Sequence, residues 1–262
     1  MKEMLVNGSR LAYRDEGTGK PLLLIHAFPL DHTVWEHQFE VFSRARRVLL
    51  PDLPGFGRSE PRADVVTMER FADDLAAMLA SLEIDEPVTV GGISMGGYIA
   101  FAFRRKYPQL TGALLLCDTR AKADTPANAA LRLKAAEQFL GEGMAAAAEE
   151  MPSKFLSPKT LAERPDVVES IRSVIRRTSP AGAAAANRGM ARRPDMEEEL
   201  PRIDVPTLVI VGEDDRISPP EEMALIASRI PGARFETIPE AGHLSPLENP
   251  AAFNATTAGF LA

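Results

Sequence analysis

Cysteine is nearly absent from this 262-residue chain. Cys117 stands alone, so no internal disulfide can form, and its place in the apolar run ALLLC reads as a small buried hydrophobe rather than a reactive thiol. No stretch reaches the roughly 18 unbroken apolar residues of a membrane span, and MKEMLVNGSRLAYRDEG carries charges where a secretory signal needs an apolar run. Positive charge is in deficit, with 30 Lys and Arg against 37 Asp and Glu and a formal charge of −7. That balance argues against nucleic acid or an anionic membrane as partner. Histidine is scarce as well, at four residues, so any role that requires imidazole can be assigned by elimination. These absences point to a cytoplasmic enzyme acting on a small molecule, of unknown oligomeric state.

What is present alternates. LLLIH (22–26), RRVLLPD (46–52), VTVGGI (88–93) and GALLLCD (112–118) are apolar on both faces, as central parallel strands are. Helical spacing separates them in TVWEHQFEVFSR, MERFADDLAAMLASLE and YIAFAFRRKYP, the last ended by Pro108. The alternation predicts an α/β fold with a parallel sheet covered on both faces. Asn7-Gly8 between two short runs predicts a hairpin extending one sheet edge. After Asp118 the rhythm stops. Residues 119–200 hold no strand-like run but several alanine-rich helical stretches, and the pattern resumes at PTLVIVGEDD (206–215) and ARFETIPEAG (233–242). The expected organisation is a core of 1–118 and 201–262 with a helical cap, 119–200, inserted at the C-terminal edge of the sheet.

Gly92-Ile93-Ser94-Met95-Gly96 follows a strand and opens a helix, the setting that the nucleophile pattern G-x-S-x-G requires. Four glycines around Ser94 remove side chains where backbones would otherwise collide. A serine hydroxyl is a poor nucleophile without a base. His32 and His37 fall at a helix start with no strand end to aim them, and His26 belongs to a loop with another use. His243, in a loop after the last strand and beside Gly242, emerges on the same sheet edge as Ser94. It is the candidate base. Asp215 and Asp214 lie just beyond another strand end on that edge, and Asp118 is the rival one strand earlier. Nucleophile, acid, histidine is the order that accompanies this elbow, which selects Asp215. An oxyanion needs donors. The Met95 N–H at the helix start is one, and the loop HAFP supplies the other through Phe28, since Pro29 has no N–H. His26 then braces that loop through backbone hydrogen bonds.

HAFPLDHTVW (26–35), DLPGFGRS (52–59), GGISMGGY (91–98), VGEDDRISPP (211–220) and AGHLSPLENP (241–250) together resemble the α/β-hydrolase fold enzymes, in family order and over nearly the whole chain. Among these the chain is most similar to capped carboxylesterases and 3-oxoadipate enol-lactonase-like hydrolases. The resemblance implies an eight-stranded, mostly parallel sheet with a cap after the sixth strand, no metal and no organic cofactor. It also departs in one place: the family usually has His-Gly-x-Pro at the oxyanion loop, where this sequence has Ala27. If the loop needs φ above zero there, alanine is strained by about 1–2 kcal/mol. If not, it is accommodated.

The expected function is hydrolysis of a carboxylic ester of small or medium acyl size by Ser94, His243 and Asp215. The alternatives are a lactonase with the same triad and, in another class, a non-catalytic small-molecule receptor on the same fold. Perhydrolysis, carbon–carbon hydrolysis and hydroxynitrile cleavage also occur on this fold, and analogy alone does not separate them. Ser94 in place of an elbow aspartate argues against epoxide opening and dehalogenation. The cap residues Phe139, Met144, Met151, Phe155, Leu156, Ile171, Val174, Ile175, Met190 and Met196 either line a pocket or glue the cap to the core.

Overall fold

Eight strands form one sheet, and the computed structural model describes all residues 1–262. Strands β1 (Lys2–Val6) and β2 (Ser9–Glu16) are the expected hairpin. Asn7 and Gly8 turn it with φ of 48° and 83°, the positive values that a two-residue hairpin turn demands. Next come β3 (Pro21–Ile25), α1 (Glu36–Phe42), β4 (Arg47–Pro51), α2 (Met68–Ser81), β5 (Val88–Ile93), α3 (Met95–Lys106) and β6 (Thr111–Cys117). The sheet order is β1-β2-β4-β3-β5-β6, continued by β7 (Thr207–Gly212) and β8 (Arg234–Ile238). Only β1 and β2 run antiparallel to their neighbours. Every residue of β3, β5 and β7 is buried, because helices cover both faces.

Between β6 and β7 lie five helices: α4 (Pro126–Glu142), α5 (Ala145–Phe155), α6 (Pro158–Glu163), α7 (Pro165–Arg177) and α8 (Pro180–Met190). Three of them start alike. Thr125, Ser157 and Ser179 accept an N–H of the first turn, and a proline fills the next position, where its missing N–H costs nothing. Helix α4 packs on α8, and α5 on α7. Helix α6 was not expected, since six residues carry too little periodicity to declare a helix, although Ser157-Pro158 is a start signal. Helix α9 (Pro220–Arg229) sits against β7 and β8, and α10 (Ser245–Glu248) and α11 (Pro250–Leu261) close the chain.

Helix α3 begins at Met95, immediately after Ser94, and this abrupt start depends on close backbone approach. A Cβ on Gly96 would lie 2.2 Å from the Ile25 carbonyl oxygen, and one on Gly92 would lie 2.1 Å from the Gly96 oxygen. Gly96→Ala is therefore expected to cost about 1–3 kcal/mol in a urea unfolding titration, as overpacked sites do. Gly259→Ala, in α11 with open space around its Cβ, is expected to be neutral or to stabilise by up to about 1 kcal/mol. Equal effects at the two positions would contradict the close approach.

Candidate active site

Ser94 stands between β5 and α3 with φ 55° and ψ −115°, a conformation that L-residues seldom adopt. Its backbone is held from both sides. The Ser94 N–H donates to the Cys117 carbonyl at 3.0 Å, and the Thr119 hydroxyl donates to the Ser94 carbonyl at 2.7 Å. The turn thus takes its anchor from the end of β6. Cys117 itself is buried, and burial pushes its thiol pKa well up, so it is the inert hydrophobe expected.

His243 follows β8 on the same edge. Its Nε2 is 2.8 Å from Ser94 Oγ, and its Nδ1 is 2.8 Å from Asp215 Oδ2. With Nδ1–H donating to the carboxylate, Nε2 is left to accept the serine proton. The other oxygen, Asp215 Oδ1, accepts the N–H groups of Ile217 and Ser218 at 2.8 and 3.0 Å, which fixes the carboxylate plane. Gly242 serves this loop by lacking a side chain rather than by unusual torsion: a Cβ there would meet the Phe155 carbonyl oxygen at 2.6 Å. That same oxygen accepts the His243 N–H at 2.7 Å. Glu248, overlooked in the sequence, is the loop's organiser. Its carboxylate accepts the N–H groups of Gly242, Leu244 and Ser157 at 2.9, 3.1 and 2.7 Å.

The two rival acids are otherwise engaged. Asp214 is exposed, and its N–H donates to the Ala241 carbonyl. Asp118 is fully buried, with its oxygens bonded to the Gly212 N–H at 2.8 Å and the Ser245 hydroxyl at 2.5 Å. Burial and the nearby Asp215 charge push its pKa well up.

The loop after β3 carries Ala27 and Phe28. Ala27 does not have positive φ, so the branch in which its methyl group strains the loop does not apply. Its carbonyl accepts the Leu30 N–H and the His26 Nδ1–H, both at 2.9 Å. His26 Nε2 accepts the Leu53 N–H at 3.0 Å, tying this loop to the one after β4 as expected of a brace. Burial lowers the pKa of His26 and keeps the ring neutral. His32 was given no partner from sequence, yet its Nδ1 lies 2.7 Å from buried Asp52, which also accepts the N–H groups of His32 and Arg58. The Phe28 and Met95 N–H groups donate to no backbone carbonyl and remain free.

Ser94 and His243 open into a cavity of about 280 Å³ whose wall is otherwise mostly apolar. Of the ten apolar candidates in the inserted helices, Phe139, Met151, Phe155 and Met190 line it. The other six are packed into the hydrophobic core. Two polar wall residues, Arg132 and Asn187, were missed. Asn187 had a signal, being the amide that breaks the run Ala183–Ala186.

The chain belongs to the alpha/beta hydrolase fold family, whose pattern it matches over residues 20–250. Among solved structures it is similar to a thermophilic esterase from Thermogutta terrifontis, determined with malate bound, at 44% identity and TM-score 0.97, covering 99% of this chain and 97% of that one. It is similar also to the enol-lactonase from Burkholderia xenovorans LB400, at 29% identity and TM-score 0.92, covering 99% of both chains. The 3-oxoadipate enol-lactonase 2 of Acinetobacter baylyi is 26% identical over 234 residues, 89% of this chain and 85% of that protein. No helix here is long and apolar enough to cross a membrane.

The Asp52–His32 pair makes stability pH-dependent. Burial lowers the His32 pKa, but the hydrogen bond and charge of Asp52 outweigh it and the net shift is upward. A raised folded-state pKa stabilises fully below the unfolded value of 6.5 and loses that contribution as pH rises through the folded value. The unfolding free energy of the wild type minus that of His32→Asn should therefore be largest in acid and shrink above about pH 6.5. A difference that grows with pH in urea titrations would reverse the sign and refute the pairing.

Proposed function

We propose that the protein is a serine hydrolase cleaving carboxylic esters of small or medium acyl size through an acyl-enzyme intermediate. The observation that carries this reading is the pair of 2.8 Å contacts joining Ser94, His243 and Asp215 at the mouth of a mostly apolar cavity. Ser94 Oγ attacks the carbonyl carbon while His243 Nε2 takes its proton. Asp215 holds the ring in the tautomer with Nδ1–H and stabilises the imidazolium that forms. The free N–H groups of Phe28 and Met95 serve the developing oxyanion, each such donor being worth about 2.7–4 kcal/mol. His243 returns its proton to the leaving alcohol, then activates water to release the acid. Helices α4 to α8 act as a cap that supplies the pocket wall.

Cyclic esters fall under the same chemistry, and the likeness to enol-lactonases supports including lactones among substrates. A panel of 4-nitrophenyl esters and simple lactones tests the reading. Steady multiple turnover is expected, and its absence across the panel would favour a receptor.

Ser94→Ala should abolish turnover by several orders of magnitude while unfolding as the wild type does, since one hydroxyl is lost. Asp215→Asn should lower kcat by about 10⁴ through the wrong histidine tautomer. Asp118→Asn should cost far less, because an amide satisfies both the Gly212 N–H and the Ser245 hydroxyl. The reverse ranking would move the acid to β6.

Ala27→Gly is expected to bring no gain in kcat, since the residue already sits at ordinary torsion. Its added freedom in the unfolded chain should cost about 0.4–1 kcal/mol. A rise in kcat at unchanged KM would show that the methyl group misaims the Phe28 N–H.

A further inference from the structure

Two polar side chains share the cavity wall with Ser94 and His243: Arg132 on α4 and Asn187 on α8, helices that pack against each other. Asn187 is only 3% exposed, yet its side-chain amide has no hydrogen bond to protein. The four preceding residues of α8, Ala183 to Ala186, are alanine. The amide therefore breaks the helix's own apolar pattern at a position that lines the cavity, one turn before Met190.

Arg132 adds charge. Its Nε donates to Asp124, and one terminal nitrogen lies 3.5 Å from the Met190 sulfur, a weak acceptor. The remaining guanidinium donors are unpaired. Asp124 is shared with buried Arg193, 2.9 Å away, whose guanidinium stacks 4.2 Å above the Tyr98 ring. One carboxylate is thus shared between two guanidiniums, of which only that of Arg132 lines the cavity. The acids on nearby helices do not line that cavity. Glu137 pairs with Arg188 at 2.7 Å, while Glu142 and Glu150 are exposed and line a separate cavity beyond Ala135, Phe139 and Met151.

We propose that this cavity selects substrates carrying a carboxylate remote from the scissile carbonyl. The inference rests on the ester hydrolase reading above. The free guanidinium donors of Arg132 take the carboxylate, the Asn187 amide donates a further hydrogen bond, and the apolar wall holds the methylene spacer. Charge-assisted bonds of this type are about twice as strong as neutral ones.

The test compares mono-4-nitrophenyl glutarate with 4-nitrophenyl pentanoate, which match in acyl length and differ by the terminal carboxylate. The wild type should favour the anionic ester in kcat/KM by about tenfold or more, an advantage that falls as salt is added. Arg132→Gln should lower the anionic-to-neutral ratio by about tenfold, chiefly through KM, and Asn187→Leu should lower it in the same direction. A wild-type preference for the neutral ester, or a ratio that neither substitution moves, overturns the proposal and leaves the ester hydrolase reading standing. Should the wild type cleave neither ester, that reading fails. Calorimetric titration with glutarate and with glutaramide then decides this inference alone: Arg132-dependent preference for glutarate sustains it, and equal binding overturns it.

Discussion

A serine in left-handed backbone conformation is the constraint on which the rest of this molecule depends. At φ 55° Ser94 ends β5 and starts α3 with no linker between them, so the helix leaves the sheet at once. That exit is possible only where nothing but backbone fills the gap, which is why Gly92, Gly96 and Gly97 would each collide with a neighbour through a Cβ. The cost of the torsion is met by partners outside the turn. Cys117 and Thr119, at the end of β6, hold the serine's N–H and C=O. The strained residue is thus over-determined by two strands and a helix, as a conformation of this type must be to persist.

The same economy governs the histidine loop. Glu248 gathers three N–H groups, two flanking His243 and one from Ser157 at the start of α6. Phe155 adds its carbonyl to the His243 N–H. The inserted helices therefore do more than wall the cavity; their backbone fixes the loop that aims the imidazole. Further ties run from Arg177 to Asp31 at 2.7 Å and from the Thr178 hydroxyl to the Pro29 carbonyl at 2.8 Å, next to Phe28. Both the proposed base and the proposed oxyanion donor are thus steadied by the same inserted block.

Strands and the serine turn were legible because their signals are local: apolar runs, a glycine cluster, a strand followed by a helix. His243 was legible because four histidines permit elimination. What stayed hidden depends on pairs far apart in sequence. Nothing near His32 announces Asp52, twenty residues away, and nothing near Glu248 announces Ser157. The choice among Asp118, Asp214 and Asp215 leaned on chain order, and only the fold supplies the physical reason for it. Arg132 and Asn187 sit in alanine-rich helices whose pattern predicts helix well but does not say which turn faces the cavity.

Asp118 and Asp215 show how two carboxyls at neighbouring strand ends can be kept from competing. Both are buried, and like charges so close in a low-dielectric interior disfavour double ionisation. The protein divides the labour by hydrogen bonding. Asp215 receives two backbone N–H groups and the His243 Nδ1–H. Asp118 has one backbone N–H and the Ser245 hydroxyl, a group that can accept as readily as donate. Burial and the nearby Asp215 push the Asp118 pKa well up, against the hydrogen bonds that Ser245 and Gly212 donate to it. Asp215 is the carboxyl that faces the imidazole. In the proposed mechanism this is where it must be, because only that position offsets the positive charge His243 acquires when it takes the serine proton.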